Sequence, residues 1–440
     1  RPTTPTLLSP SPGATDQHLL LTFDWAPSTD PDGDAVSYTV YLDTDEVVDF
    51  VLAENIENVS IRLDNLQPET LYYWKVVAKD ARGATASSAV STFTTGRVFW
   101  TFTTGNSIMT CPAVDSKGVL YLGSDDGKVY ALDATGNLKW SYDTGGAVRS
   151  SPSILGTGIV FGTSSGSWIY LDSSGQEVWG VNHGVSDLNT TAALGDRVYV
   201  VEPGIALKAL DPLTGDQIWS VEKDFRTSPV QDKGGTLYVG INEGLVACDK
   251  NGSILWKLEI NGVPSVEPAI AESGRVYLCV SSGSLYALNT DGSTATVAWT
   301  LKLGDSIKSN PIISPDGTVY VGTVGVLTPS ALYAVEPWGE IRWKLEMPDW
   351  VRSTTVIGSS GNVYVGCDDD RVYAVSPGGT ILWSVATDGN VMAPLTLSDD
   401  GLLYLGTYSG TFYTIKTNDS LAEGIWPKFR RTHGNTGTVP

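Results

Sequence analysis

Three carboxylates on alternate residues, Asp30, Asp32 and Asp34, surround the Pro31 and Gly33 of a turn. Such spacing is raw material for a calcium loop, since Ca²⁺ takes about six to eight oxygen ligands. The same residue types also build tight turns with no metal, and no Glu stands at the twelfth position to close an EF-hand. Calcium is thus the one cofactor the pattern admits. The three histidines, His18, His183 and His433, are scattered; an imidazole-based metal or acid–base site needs a carboxylate or second ligand beside it. Cys111, Cys248, Cys279 and Cys367 show neither an adjacent pair nor a CxxC spacing, and are expected as buried free thiols. No Gly-x-Ser-x-Gly elbow, phosphate loop or His-Glu-x-x-His occurs. The least expected feature is basic: Arg149, Arg226, Lys308 and Arg352 each precede a recurring short phrase by three residues.

That phrase belongs to a repeat. Trp100, Trp140, Trp179, Trp219, Trp256, Trp299, Trp343, Trp383 and Trp426 are spaced 40, 39, 40, 37, 43, 44, 40 and 43 residues apart. Between them come segments such as Asn310-Pro311…Val319-Tyr320-Val321-Gly322…Leu332-Tyr333-Ala334-Val335…Trp343. A period of roughly 40–45 residues holding four short strands is the pattern of a propeller blade. One such unit cannot bury its apolar face alone, so the units stack around an axis. Inner strands beginning near Pro112, Pro152, Ala192, Pro229, Pro268, Pro311, Thr355 and Pro394 give eight blades. The last lacks an outer strand, which the spare Val98–Phe102 segment supplies; strands from both ends then close the ring and leave no free edge.

Repeat symmetry places residues 109, 149, 189, 226, 265, 308, 352 and 391 at one radius, on loops entering the innermost strands. Arg149, Arg226, Lys308 and Arg352, with Phe225 and Trp350 in the same loops, would form a cationic, aromatic-sided channel mouth. It would suit an anionic ligand such as an acidic sugar or a carboxylate-bearing peptide. The competing reading pairs each arginine with an acidic turn, for example Asp125 or Asp369.

Residues 1–97 follow a different pattern. Leu21, Phe23 and Trp25 alternate with polar neighbours, and Leu66-Gln67-Pro68-Glu69-Thr70-Leu71-Tyr72-Tyr73-Trp74 leads into a further strand. The Leu-x-Pro-x-Thr-x-Tyr phrase resembles a fibronectin type III module. The resemblance implies a β-sandwich with Tyr72 as its corner tyrosine and Trp25 and Trp74 in the core. In residues 98–440, the phrase Tyr130-Ala131-Leu132-Asp133…Gly136…Trp140 resembles the pyrroloquinoline-quinone-like propeller repeat. That superfamily includes quinoprotein alcohol dehydrogenases and an eight-bladed outer-membrane assembly lipoprotein. Quinoproteins hold their cofactor with an adjacent cysteine pair, which this chain lacks, so no pyrroloquinoline quinone is expected. The tail, residues 417–440, carries Trp426-Pro427-Lys428-Phe429, expected to pack Trp426 and Phe429 against the ring closure.

The net charge of −21, with 49 acidic against 28 basic residues, disfavours nucleic acid and anionic lipid surfaces. No apolar run approaches the ~20 residues of a membrane span. No signal-peptide core opens the sequence, so Arg1 reads as a processed or artificial start. The expectation is an all-β, non-catalytic exported protein, extracellular, at the cell surface or periplasmic. Its propeller would present a binding face to a protein or glycan, with the sandwich as spacer or adhesion unit. A polysaccharide-active enzyme and an assembly scaffold resembling the outer-membrane lipoprotein are the alternatives.

Overall fold

Strict alternation shapes the N-terminal unit. In the strand Leu71–Asp80 the side chains of Tyr72, Trp74, Val76, Ala78 and Asp80 are buried while their neighbours are not, as a strand covered on one face requires. The computed structural model describes residues 1–184, 188–423 and 426–438. Two compact units emerge: Arg1–Thr101 with Thr414–Thr417, and Phe102–Tyr413 with Asn418–Pro440. In the first, one sheet joins Leu7–Ser9, Leu21–Trp25 and Ser60–Leu63. The second sheet is centred on Leu71–Asp80 and Val36–Asp43. Phe23, Trp25, Tyr38, Val40, Trp74 and Phe93 fill the space between them, with Phe23 set edge-on to Trp74 at 5.1 Å between ring centroids. The Tyr72 hydroxyl accepts the Gln67 amide at 2.9 Å, which is the tyrosine-corner bond.

The second unit repeats one motif. In its first sheet the order is Ala113–Val114, Leu120–Gly123, Lys128–Leu132 and Leu138–Asp143, each antiparallel to the next. Leu120–Gly123 is buried throughout, whereas Leu138–Asp143 alternates between exposed and half-buried. This second strand is covered on both faces, and the outer one reaches solvent. Eight such sheets occur among the described residues, the sixth with one extra short strand, Ser306–Ile307. In the eighth, Val98–Thr103 lies beside Thr411–Lys416 as the outer strand.

The repeated tryptophans join sheet to sheet. Trp140 Nε1 donates to Ser173 O at 3.1 Å, Trp179 to Pro212 O at 3.1 Å, and Trp343 to Pro377 O at 2.8 Å. Each acceptor lies in a turn of the following sheet. Gly175 in one such turn has φ +84°, and a Cβ there would stand 2.7 Å from the Trp140 ring. Both the backbone angle and the close approach therefore require glycine.

A second belt runs around the axis, made in the first seven sheets by the residue that precedes the inner-strand start. Cys111 N donates to Ser151 Oγ at 2.9 Å, Ser151 N to Thr191 Oγ1 at 3.2 Å, and Thr191 N to Ser228 Oγ at 2.8 Å. Ser228 Oγ donates to Glu267 Oε1 at 2.6 Å, and Asn310 Nδ2 also reaches the Glu267 carboxylate. Asn310 N then meets Thr354 Oγ1 at 3.1 Å. Leu395 N meets Thr354 O at 3.2 Å, and Thr396 Oγ1 donates to Pro112 O at 3.1 Å, returning to the first sheet.

The tail departs from expectation. Trp426 and Phe429 are buried, but Trp426 docks on the sixth sheet, its carbonyl accepting Ile313 N at 2.9 Å, rather than on the closing sheet. The segment then crosses the inner strands: Pro427 O accepts Ile357 N, His433 O accepts Val114 N, Gly434 O accepts Ile154 N, and Thr436 O accepts Leu194 N. These inner-strand ends need partners once water is excluded, and a chain laid across them supplies the carbonyls.

Candidate functional site

Tail and mouth occupy opposite ends of the inner strands. The tail binds the trailing ends, at Val114, Ile154, Ile313 and Ile357. Met109, Lys308, Arg352 and Met392 precede the leading ends. There, a cavity of about 430 Å³ is lined by Met109, Lys308, Val324, Trp350, Arg352 and Met392. Three of the eight repeat-equivalent positions, 109, 308 and 352, thus meet at one opening.

The arginines of the ring carry carboxylate partners. Arg149 holds Asp125 through two bonds of 2.9 and 3.1 Å. Arg226 pairs with Asp224 at 2.8 Å and, through Nη2, at 3.0 Å. Arg352 Nε donates to Asp368 Oδ2 at 2.6 Å, while its guanidinium lies 5.2 Å over the Trp350 ring. Burial pushes the Asp368 carboxyl above its ordinary value, against the pull of Arg352. Lys308 differs: it is exposed and forms no ion pair among the described residues. Arg149 and Arg226 do not line the cavity. Phe225 is a correction to the aromatic wall: it is fully buried against Leu237, Val239 and Ile241, because its loop turns the ring inward between sheets.

Beside the cavity the loop after Val324 is held by one carboxylate. Asp305 Oδ2 accepts the amides of Val326, Leu327 and Thr328 at 2.8, 2.6 and 2.9 Å. These bonds hold its pKa down at about 2. Trp350 Nε1 donates to Gly325 O at 2.9 Å. Val326 and Leu327 stand 75% and 90% exposed, and Trp350 39%.

Asp30, Asp32 and Asp34 do converge, with ligand oxygens within 4.8 Å of one another. Arg82 spans Asp34 at 3.0 Å and Asp32 at 3.5 Å, and the Arg1 amine meets Asp30 at 3.0 Å and Asp80 at 3.4 Å. Arg82 already bridges two of the three carboxylates, so a calcium ion there would have to displace it. The histidines lie apart: His433 Nε2 meets Leu397 O at 2.8 Å in the tail, while His183 shares the buried Glu202 carboxylate with Lys208. All four cysteines are buried and free, and burial pushes the Cys248 thiol up to about 12.

The spacing of tryptophans and the four-stranded sheets find their match in a known family. A family profile described as "Outer membrane protein assembly factor BamB" matches residues 86–232, 207–347 and 328–436. The chain belongs to that family. Residues 5–94 match the fibronectin type III domain, in agreement with the corner tyrosine. Curated BamB proteins from Nitrosomonas eutropha and Moranella endobia are 32% identical over 148 residues and 28% identical over 151. Those alignments cover 33% and 29% of this chain, and only 33% and 38% of the relatives' own length. The crystal structure of BamB from Moraxella catarrhalis superposes with a TM-score of 0.62 at 20% identity, over 73% of this chain and 97% of that one. Quinohemoprotein alcohol dehydrogenase from Comamonas testosteroni does so equally, with a TM-score of 0.62 at 16% identity over 75% and 78%. At such identities the likeness concerns the fold alone.

Proposed function

We propose that this BamB-family propeller is a non-catalytic scaffold of the cell envelope that binds a protein partner at its open mouth, with the fibronectin domain serving as spacer. The observation that carries the reading is the lining of that mouth. Methionine, valine and tryptophan with two cations form a recognition surface, whereas glycoside chemistry needs paired carboxylates facing one space. Membership of a family described by outer-membrane protein assembly supports a protein partner over a glycan. It also supports a site of action outside the cytoplasm. No helix among the described residues is long and apolar enough to cross a membrane.

A photo-cross-linking amino acid at Leu327, installed in the native host, tests the reading. A control at Leu213, 79% exposed in a turn of the third sheet, reports non-specific capture. A discrete protein adduct at 327 and none at 213 is expected. Identical adducts at both positions, or none at either, refute partner binding at the mouth.

A further inference from the structure

We infer that the mouth cavity takes an acidic segment of the partner bearing a bulky apolar side chain, which enters beside Met109, Met392 and Trp350 while a flanking carboxylate meets Lys308. The inference rests on the scaffold reading and specifies its ligand.

Four observations support it. The first is composition: the chain has three methionines, and two of them meet in this cavity from loops of the first and eighth sheets. Unbranched thioether side chains adapt to the shape of what they bind, and they recur at surfaces that accept varied apolar partners. The second is size, since a cavity of about 430 Å³ falls in the range of sites that enclose a small ligand or side-chain group.

The third is the neighbouring loop. Singly exposed aliphatic residues are ordinary, but Val326 and Leu327 are presented side by side, next to Trp350 at the rim. Their backbone is fixed by three amide bonds to one carboxylate. An ordered apolar edge around an apolar cavity is how a docking surface is recognised. The fourth is charge. Arg149, Arg226 and Arg352 are each neutralised by an aspartate, which leaves Lys308 as the ring cation with no carboxylate partner among the described residues. In a chain of net charge −21, an unpaired lysine beside an apolar cavity gives an acidic segment a local attraction that the overall charge does not. At Lys308 a carboxylate can be met while apolar contact is gained in the same cavity. A glycan would call for converging neutral donors and acceptors, which the methionine-lined wall does not provide.

The test uses the full chain and fluorescein-labelled heptapeptides read by fluorescence anisotropy. One has a central Phe flanked by Glu, the second the same Phe flanked by Lys, and the third Ala between Glu residues. Saturable binding of the first is expected, with the other two at least about tenfold weaker, the loss typical of removing one anchoring contact. Lys308→Glu should invert the preference between Glu and Lys flanks. Trp350→Ala should weaken both Phe peptides by about tenfold or more, and Lys308→Glu should melt with the parent because its side chain is exposed and makes no ion pair among the described residues. Equal binding of all three peptides, no saturable binding, or an unchanged preference in Lys308→Glu overturns the proposal. The scaffold reading has its own outcome: a specific adduct at 327 alongside failed peptide binding removes the ligand chemistry alone. Absence of the adduct with peptide binding intact removes the scaffold reading while the cavity's specificity stands.

Discussion

Replacing Thr191 by Val isolates the hydrogen-bonded belt around the axis. The two side chains have the same shape, so the substitution removes the acceptor of Ser151 N, at 3.2 Å, and little packing. Both residues are buried, so water cannot take the place of the lost hydroxyl. An orphaned buried amide costs about 1–3 kcal/mol. Ser228→Ala makes the same cut one sheet further on, at Thr191 N, and also strips one partner from Glu267, so its loss should lie at the upper end. Ser151→Ala orphans Cys111 N. Equilibrium urea unfolding reads the loss as a lowered midpoint at constant slope, and amide exchange locates it at Ser151. A Thr191→Val protein within about 0.3 kcal/mol of the parent, well below the cost of an orphaned amide, with the Ser151 amide still protected, would refute the belt as a stabilising element.

In the fibronectin domain, Tyr72→Phe removes the acceptor of Gln67 N; a loss of about 1 kcal/mol and faster exchange at that amide are expected, and unchanged exchange argues against the corner. Asp305 titrates in the fold at about 2, below its ordinary carboxylate value. The support it gives the 326–328 loop is therefore complete above about pH 4 and is lost as the pH falls toward 2. Exchange at Val326, Leu327 and Thr328 should accelerate across that window, and Asp305→Asn should remove the pH dependence. His433 is pushed below its ordinary value by burial, so the folded tail binds a proton less readily than the unfolded chain. Tail stability should be full above about pH 6.5 and decline as the pH drops below it; a flat profile in protease resistance of the tail would contradict this. Pyrroloquinoline quinone titrated with calcium present should show no saturable absorbance change, since the sequence offers no adjacent cysteine pair.

Much of the fold was legible because the interactions that set it recur in the sequence. Five of the repeated tryptophans meet a Gly turn 33 to 40 residues on, so the contact between Trp140 and Gly175 is written again at Trp179 and Gly215, Trp219 and Gly252, Trp299 and Gly339, and Trp343 and Gly379. The belt was legible in principle: Cys111, Ser151, Thr191, Ser228, Glu267, Asn310 and Thr354 occupy one repeat position, and most carry an oxygen. The path of the tail was not. Arg430 is fully buried, and its Nη2 donates to Ala192 O and Pro229 O at 2.8 and 3.0 Å, a role its surface-like sequence neighbours conceal. The mouth was half legible. The repeat offset located Lys308 and Arg352, but Phe225, one residue before Arg226, takes the buried position that Val148, Ile307 and Val351 hold in their repeats, whereas Trp350 stands two residues before Arg352. Met392 had no periodic partner to announce it.

The path of residues 426–438 also orders events when the chain is made. Synthesis delivers the sheets from the first onward, and early segments begin to fold as they emerge. Yet Val114 waits for His433, Ile154 for Gly434 and Leu194 for Thr436, partners that arrive some three hundred residues later in the case of Val114. A nascent chain halted after Thr417 would contain every sheet and still leave these amides bare. Proteases that sample open backbone would distinguish it from the finished molecule. Residues 426–438 thus certify sheets made long before them.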